Sequence, residues 1–308
     1  MYWGDKPYNS LNYHLKNKFK KKIAKISIDA GFTCPNRDGT KSFKGCIFCS
    51  KKGSGDFTQD KFLSIKNQIE ISKKNISLKW KNADYIVYFQ AYTNTYANVD
   101  ILKKIYYDAL KVNNICGIAI ATRPDCLSYE ILELLSELNK KTYLWIELGF
   151  QTSNEKTAKF INRCYSNNIF NNAIIELKKR NIEIVVHTIF GLPYETHNDM
   201  INTIKYVTSL DINGLKIQSL YIVSDSNLYN YYLKNRFKIM EKDEYINLII
   251  KSLEIIPQNI VIHRLTGDAN KKNLIEPLWS LNKKDILNTI HKRMIEQNSF
   301  QGKLFTKI

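Results

Sequence analysis

Three cysteines near the N-terminus, Cys34, Cys46 and Cys49, form a C-x11-C-x2-C array. They sit within Cys34-Pro35-Asn36-Arg37-Asp38-Gly39-Thr40 and Phe43-Lys44-Gly45-Cys46-Ile47-Phe48-Cys49-Ser50. Thiolates are soft metal ligands, and three are one short of the closed tetrahedron of a structural zinc site. A cubane [4Fe–4S] cluster held by three cysteines instead keeps one iron open to a further ligand, an arrangement suited to chemistry. The zinc alternative needs a fourth ligand from Cys116, Cys126, Cys164 or one of the five histidines, and spacing alone leaves both readings open. Cys116, Cys126 and Cys164 have no cluster-like spacing and read as packed thiols, with Cys126 and Cys164 closer to motif loops.

The elements that must hold this array alternate. The segment from Ala24 to Gly31 alternates apolar and polar residues and stops at a glycine, so the cysteines follow a strand. Helical spacing over Lys61–Lys79 leads to the apolar run Tyr85–Gln90, whose length and content suit a buried strand. The pattern repeats: helix Val99–Asn113 and strand Gly117–Thr122; helix Ser128–Leu138 and strand Tyr143–Leu148; helix Ile169–Lys179 and strand Glu183–Ile189; helix Asn198–Leu210 and strand Leu215–Leu220. Six strands separated by helices predict an α/β fold with a parallel sheet, wound as an open sheet or a partial TIM barrel. Polar residues at strand C-terminal ends, Gln90, Thr122, Glu147 with Gln151, and His187, favour the barrel, whose active site gathers at that face. Beyond Asp225 come helical segments Leu228–Phe237 and Asp243–Ile256, a short strand Ile260–His263, a polar loop with Arg264, Thr266, Gly267 and Asp268, and a basic helical tail. We therefore divide the chain into a basic, aromatic N-terminal extension (1–23), a (β/α)6 core (24–225) and a C-terminal α/β extension packed on it (226–308).

Composition narrows the classes further. No apolar run is long enough to span a bilayer and no apolar segment follows a basic one at the start, which points to a cytoplasmic protein with no membrane partner. Clustered cysteines in such a compartment read as metal ligands, not disulfides. The net charge of +17 attracts polyanions, and the run Lys16-Asn17-Lys18-Phe19-Lys20-Lys21-Lys22 directly before the first strand is the densest cationic stretch. No dinucleotide or NTP-binding glycine loop and no hydrolase elbow is present.

Five ordered motifs carry a resemblance across nearly the whole chain. They are Asp29-Ala30-Gly31-Phe32-Thr33-Cys34-Pro35-Asn36-Arg37-Asp38-Gly39, Tyr88-Phe89-Gln90-Ala91-Tyr92-Thr93-Asn94-Thr95, Ala121-Thr122-Arg123-Pro124-Asp125, Glu147-Leu148-Gly149-Phe150-Gln151-Thr152 and Gly191-Leu192-Pro193-Tyr194-Glu195. The sequence resembles radical S-adenosylmethionine (SAM) enzymes, with the long cysteine loop of the Elongator catalytic subunit and, more closely, the YhcC/YtqA family. The resemblance implies that Cys34, Cys46 and Cys49 hold a [4Fe–4S] cluster whose fourth iron binds SAM, and that one electron then cleaves SAM to methionine and a 5′-deoxyadenosyl radical. It places Gln90, Thr122, Glu147, Gln151, Arg163 and His187 among the cofactor contacts, with Arg163 as a fork for the SAM carboxylate and Gln90 where a glycine-rich SAM-amine motif falls in relatives. The implied substrate is tRNA, with the carboxymethylaminomethyl group of a wobble uridine converted to aminomethyl. The implied electron donor is a reductant such as flavodoxin or ferredoxin. The competing expectations are radical SAM chemistry on a small molecule or peptide, and a zinc-stabilised nucleic-acid-binding module.

Overall fold

The computed structural model describes residues 2–53 and 58–306. Helix α1 (Leu11–Phe19) precedes β1 (Ile23–Ile28), and βα units follow: α2 (Ile65–Ser77) and β2 (Asp84–Phe89), α3 (Val99–Leu110) and β3 (Ile115–Thr122), α4 (Tyr129–Asn139) and β4 (Tyr143–Gln151). Helices α5 (Glu155–Phe160) and α6 (Asn167–Lys179) lead to β5 (Glu183–Phe190), and α7 (His197–Ser209) leads to β6 (Gly214–Ser219). The C-terminal part adds β7 (Ile222–Val223), α8 (Asn227–Lys234), α9 (Lys242–Ile255), β8 (Val261–Arg264), β9 (Leu274–Glu276) and α10 (Lys283–Glu296).

Strands β1 to β6 lie side by side in chain order, all parallel, and curl into a half-barrel. The six expected strands are all present. A seventh, β8, pairs parallel with β6, so the short C-terminal strand extends the same sheet and its following loop reaches the same face: the Gly267 amide donates to Ser219 Oγ at 3.1 Å.

The central strands are buried on both sides, which is why β2 is an almost continuous apolar run. In β2, Tyr85, Val87 and Phe89 face the outer helices while Ile86 and Tyr88 face the barrel interior. The helices turn one apolar stripe to the sheet. In α4, the Ser128 hydroxyl accepts from the Ile131 amide at the N-terminus, and Ile131, Leu132, Leu134, Leu135 and Leu138 are buried. Each such leucine contributes on the order of 2 kcal/mol of burial free energy.

The N-terminal extension has a structural task. Leu15, with Leu11 and Phe19, packs against the interior residues Ile23, Ile86, Tyr88, Ala119, Trp145 and Val185, plugging the barrel at the strand N-terminal ends. Asn9 and Ser10 run beside β8, where the Ile262 amide donates to the Asn9 carbonyl at 2.7 Å. The cationic run that follows therefore lies at the end remote from the cysteines, despite its closeness in sequence. Three of its five lysines are engaged there: Lys18 with Glu183 at 3.6 Å, Lys21 with Asp84 at 2.5 Å, and Lys22 with Asn12 Oδ1 at 2.6 Å. Glu183 and Asp84 are the first residues of β5 and β2. No helix among the described residues is long and apolar enough to cross a membrane.

Candidate active site

The cysteine loop leaves the C-terminal end of β1. The chain reverses immediately after Cys34, whose carbonyl accepts from the amides of Arg37 at 2.7 Å and Asp38 at 3.3 Å. A second reversal brings the Cys49 amide to the Cys46 carbonyl at 3.0 Å. Asn36, fully buried, anchors the loop to the opposite wall: its Nδ2 donates to the Asn162 carbonyl at 2.6 Å and reaches Cys46 Sγ at 3.6 Å. Arg37 donates to the Ser50 carbonyl at 2.6 Å and lies over the Tyr92 ring at 5.3 Å. A hydrogen bond between the Cys46 and Cys49 thiols raises the first and lowers the second, and Arg37 adds to the lowering at Cys49 against the effect of burial.

These thiols open onto a cleft of about 140 Å³ at the mouth of the half-barrel. All nine residues expected at the site line it: Cys34, Cys46, Cys49, Gln90, Thr122, Glu147, Gln151, Arg163 and His187. Their side chains do different things. Thr122 is buried and its hydroxyl bonds Thr95 Oγ1 at 2.5 Å, bracing the β3 end. Gln151 ends β4 with a positive φ of 68°, and its amide folds over Gly149, where a Cβ would lie 2.8 Å from Nε2. A side chain at 149 would displace this flexible amide from the cleft wall.

Arg163 differs from its expected role. Its Nε donates to the Tyr165 carbonyl at 3.0 Å, Nη1 to the carbonyls of Phe150 at 3.0 Å and Thr152 at 2.8 Å, and Nη2 to Asn167 at 2.9 Å and Glu155 at 3.4 Å. Every guanidinium N–H has a protein acceptor, so no fork is left for a SAM carboxylate. Arg163 instead clamps the turn after β4. A second cation facing the thiols, beside Arg37, is Arg123, on the cleft wall, with Nε and Nη2 forked onto Asp125 at 2.9 Å each. Burial would lower its pKa, but the Asp125 carboxylate and then the nearby cysteines hold it firmly protonated.

Below the cleft the barrel interior contains a buried ionic cluster centred on Glu147. Its carboxylate is ion-paired with Lys216, lies 3.7 Å from Lys25 Nζ, and accepts from Trp145 Nε1 at 2.9 Å and His187 Nε2 at 2.8 Å. Both ammoniums lie over the Tyr88 ring, Lys25 at 4.0 Å and Lys216 at 4.6 Å from its centre. Burial alone would raise the Glu147 pKa, yet Lys216 and then Lys25 hold it well below the carboxylate range. Burial, and next the Lys216 charge, push His187 down to about 4, so it is neutral at pH 7 and its Nε2 carries the proton donated to Glu147. Glu147 and His187 are therefore committed to each other and to Lys216, and they present to the cleft as a pre-bonded pair.

The turn after β5 is tied to the turn after β4 by Glu195, which accepts from the Thr152 hydroxyl while Oε2 has no partner among the described residues. Burial pushes this carboxyl up to about 7. A carboxyl with a raised folded pKa favours the native state most below its unfolded value, and that stability is lost as pH rises through about 7. Glu195→Gln is accordingly expected to flatten the pH dependence of urea unfolding between pH 4.5 and 7 and to gain about 2 kcal/mol at pH 8, after allowance for partial exposure. Parallel wild-type and variant pH profiles would contradict this assignment.

Sequence patterns alone missed four contributors. Lys25 and Lys216 stand mid-strand, where an isolated lysine reads as an outward-facing residue. Arg123 and Thr93 lay within quoted motifs without being singled out; Thr93 lines the cleft and its Oγ1 has no partner among the described residues. Inward parity with Glu147 was the available signal for the lysines. As for zinc, no three Cys, His, Asp or Glu side chains among the described residues close round a single-ion position.

The comparisons with known proteins agree with this geometry. A family model described as the Radical SAM superfamily matches residues 34–207, and one described as the Radical_SAM C-terminal domain matches 212–296. The chain is 41% identical to YtqA of Bacillus subtilis over 99% of its length and 94% of YtqA, and 32% identical to YhcC of Escherichia coli K12 over 89% and 88%. The solved archaeal Elp3 of Methanocaldococcus infernus superimposes with a TM-score of 0.70 at 15% identity, covering 91% of this chain and 64% of that one, a likeness of fold. With the three-cysteine loop at the mouth of a parallel half-barrel, and the family model running from that loop into α7, the chain belongs to the radical SAM superfamily.

Proposed function

We propose that the protein is a radical SAM enzyme that modifies a wobble uridine of tRNA, converting its carboxymethylaminomethyl side chain to aminomethyl. Membership of the superfamily supplies the cofactors, a [4Fe–4S] cluster and SAM. The observation that carries the reading is the meeting of three thiols from one loop with polar side chains from the ends of β2, β3, β4 and β5 at one cleft. The donor set fits an iron–sulfur cluster. Three thiols share one wall, N–H groups of Asn36 and Arg37 approach the sulfurs, and Arg123 offsets their negative charge.

In this reading Cys34, Cys46 and Cys49 hold the cluster, which supplies the electron that cleaves SAM and starts hydrogen abstraction from the substrate. The chain's own residues orient and shield. The unpartnered Thr93 hydroxyl and the amides of Gln90 and Gln151 offer hydrogen bonds to the amino acid and ribose parts of SAM. Arg163 and Glu195 hold the two turns on which those side chains stand. The buried Glu147–Lys216–His187 cluster lies at the cleft floor and holds the His187 ring in one orientation. The tRNA substrate is supported by the family resemblance and by the chain's charge of +17.

The deciding experiment is anaerobic incubation of reconstituted protein with SAM, reductant and tRNA bearing the carboxymethylaminomethyl nucleoside, followed by mass analysis of nucleosides and of 5′-deoxyadenosine. Aminomethyl product with matching 5′-deoxyadenosine is expected. 5′-Deoxyadenosine with unchanged tRNA would move the substrate to a small molecule or peptide, and neither product from a fully loaded cluster would overturn the catalytic reading.

A further inference from the structure

The N-terminal lysines lie at the wrong end of the barrel to bring a polyanion to the cleft, but a second cationic surface lies at the right one. The cysteine loop is seated on α8: the Leu228 amide donates to the Ile47 carbonyl at 2.7 Å, and Asn227 Nδ2 donates to the Lys44 carbonyl at 2.9 Å. Helix α8 in turn meets α5 and the turn after β5 through aromatic rings. Phe160 lies 5.1 Å from Tyr231 and 5.6 Å from Tyr194, and the two tyrosine hydroxyls bond each other at 2.5 Å. Tyr194 is 68% exposed despite this framework. Lys159 precedes Phe160, Lys234 lies one helical turn beyond Tyr231, and Arg236 lies over the Tyr232 ring at 4.4 Å.

What distinguishes this surface from an ordinary solvated face is the pairing of cations with held aromatic rings. Among the described residues, Lys44, Lys159, Lys234 and Arg236 are exposed and form no salt bridge; Lys16 and Lys20 at the opposite end are likewise exposed and unpaired, but no such pair of linked tyrosines stands beside them. None of the neighbouring carboxylates is bonded to these cations: Asp225 accepts from the Lys51 amide at 2.9 Å, Glu155 pairs with Arg163 at 3.4 Å, and Glu195 accepts from the Thr152 hydroxyl. The result is a set of cations without a salt-bridge partner beside two hydroxyl-linked rings. Unpaired RNA presents phosphates and free base faces together, whereas a duplex hides the faces in its stack.

We propose that Lys44, Lys159, Lys234 and Arg236, with Tyr194 and Tyr231, form the docking surface for an unpaired RNA strand, from which one nucleotide enters the adjoining cleft. The inference rests on the tRNA reading above and adds where and in what form the RNA binds. The cations hold phosphates, and Tyr194 offers its face to a base. The bound RNA is a loop, not a helix.

The test is anaerobic binding of a labelled RNA stem–loop and a fully paired duplex of equal length to the cluster-loaded protein over a range of salt. Wild type is expected to prefer the stem–loop. Lys234→Glu/Arg236→Glu is expected to weaken stem–loop binding by at least about tenfold and to reduce the salt slope by about two, and Tyr194→Ala to weaken it with the slope unchanged. Lys16→Glu/Lys20→Glu, at the far end, is expected to match wild type. Melting curves matching wild type establish that the variants are folded. If α8 variants bind as wild type does while the wobble nucleoside is still converted, the docking surface is wrong and the tRNA function stands. Equal weakening by the Lys16/Lys20 pair would also overturn the surface, leaving net charge as the cause. If wild type neither binds the stem–loop nor converts the nucleoside, both readings fall.

Discussion

Replacing any one of Cys34, Cys46 or Cys49 by alanine is expected to abolish 5′-deoxyadenosine formation and to remove the broad absorption near ~400 nm of a cysteine-ligated iron–sulfur cluster. The reason lies in the loop's geometry. The three thiols reach the cleft from two tight reversals of one segment, anchored by Asn36 and Arg37, and the remaining cysteines are not placed to substitute. Cys126 is buried, with its thiol pushed up to about 12, first by burial and then by Asp125. Cys116 stands near the start of β3, and its thiol donates to the Tyr85 carbonyl at 3.4 Å. Cys164 points its thiol at Asn162 Oδ1, 3.1 Å away. Iron content of the variants, measured beside their melting curves, separates lost ligation from lost folding. Full iron and full absorption in any of the three alanine variants would remove that cysteine from the ligand set.

The second large effect is one of stability. Glu147→Ala is expected to destabilise the protein by about 3–5 kcal/mol, because it leaves Lys216 and Lys25 in the barrel interior without their shared carboxylate. Removing one partner of a buried pair costs more than removing both, since the remaining charge has no water to solvate it. Lys216→Met in the Glu147→Ala background should therefore recover much of the loss, and urea unfolding of the four combinations measures that coupling. Additive losses would show that the cluster contributes nothing beyond its separate side chains. The same cycle reports on the site, because His187 donates to Glu147 and loses its orientation with it.

Chemistry and architecture were legible in the sequence to different depths. The spacing of Cys34, Cys46 and Cys49 pointed to a three-thiol site, and the alternation of apolar runs with helical periods pointed to a parallel sheet. Both signals are local. A strand buried on two faces is mostly apolar, and a loop that ligates one cluster must carry its cysteines close together in the chain. Polar residues at strand ends were equally informative: Gln90, Thr122, Gln151 and His187 all reach the cleft, because parallel strands end on one face.

What local pattern did not carry was partnership. The donors of Arg163 are taken up by carbonyls of Phe150, Thr152 and Tyr165, backbone groups that bear no sequence signal. Lys25 and Lys216 looked like ordinary strand lysines until the curl of the sheet turned β1 and β6 to face β4 and brought both onto one carboxylate. The N-terminal cations, near the cysteines in sequence, were carried by β1 to the far end of the barrel, because a strand separates whatever precedes it from whatever follows. Residue types and spacing determined which chemistry this protein carries and on what kind of scaffold. The tertiary structure alone decided which charges face each other and which surface adjoins the cleft, because those depend on contacts between residues tens to hundreds of positions apart.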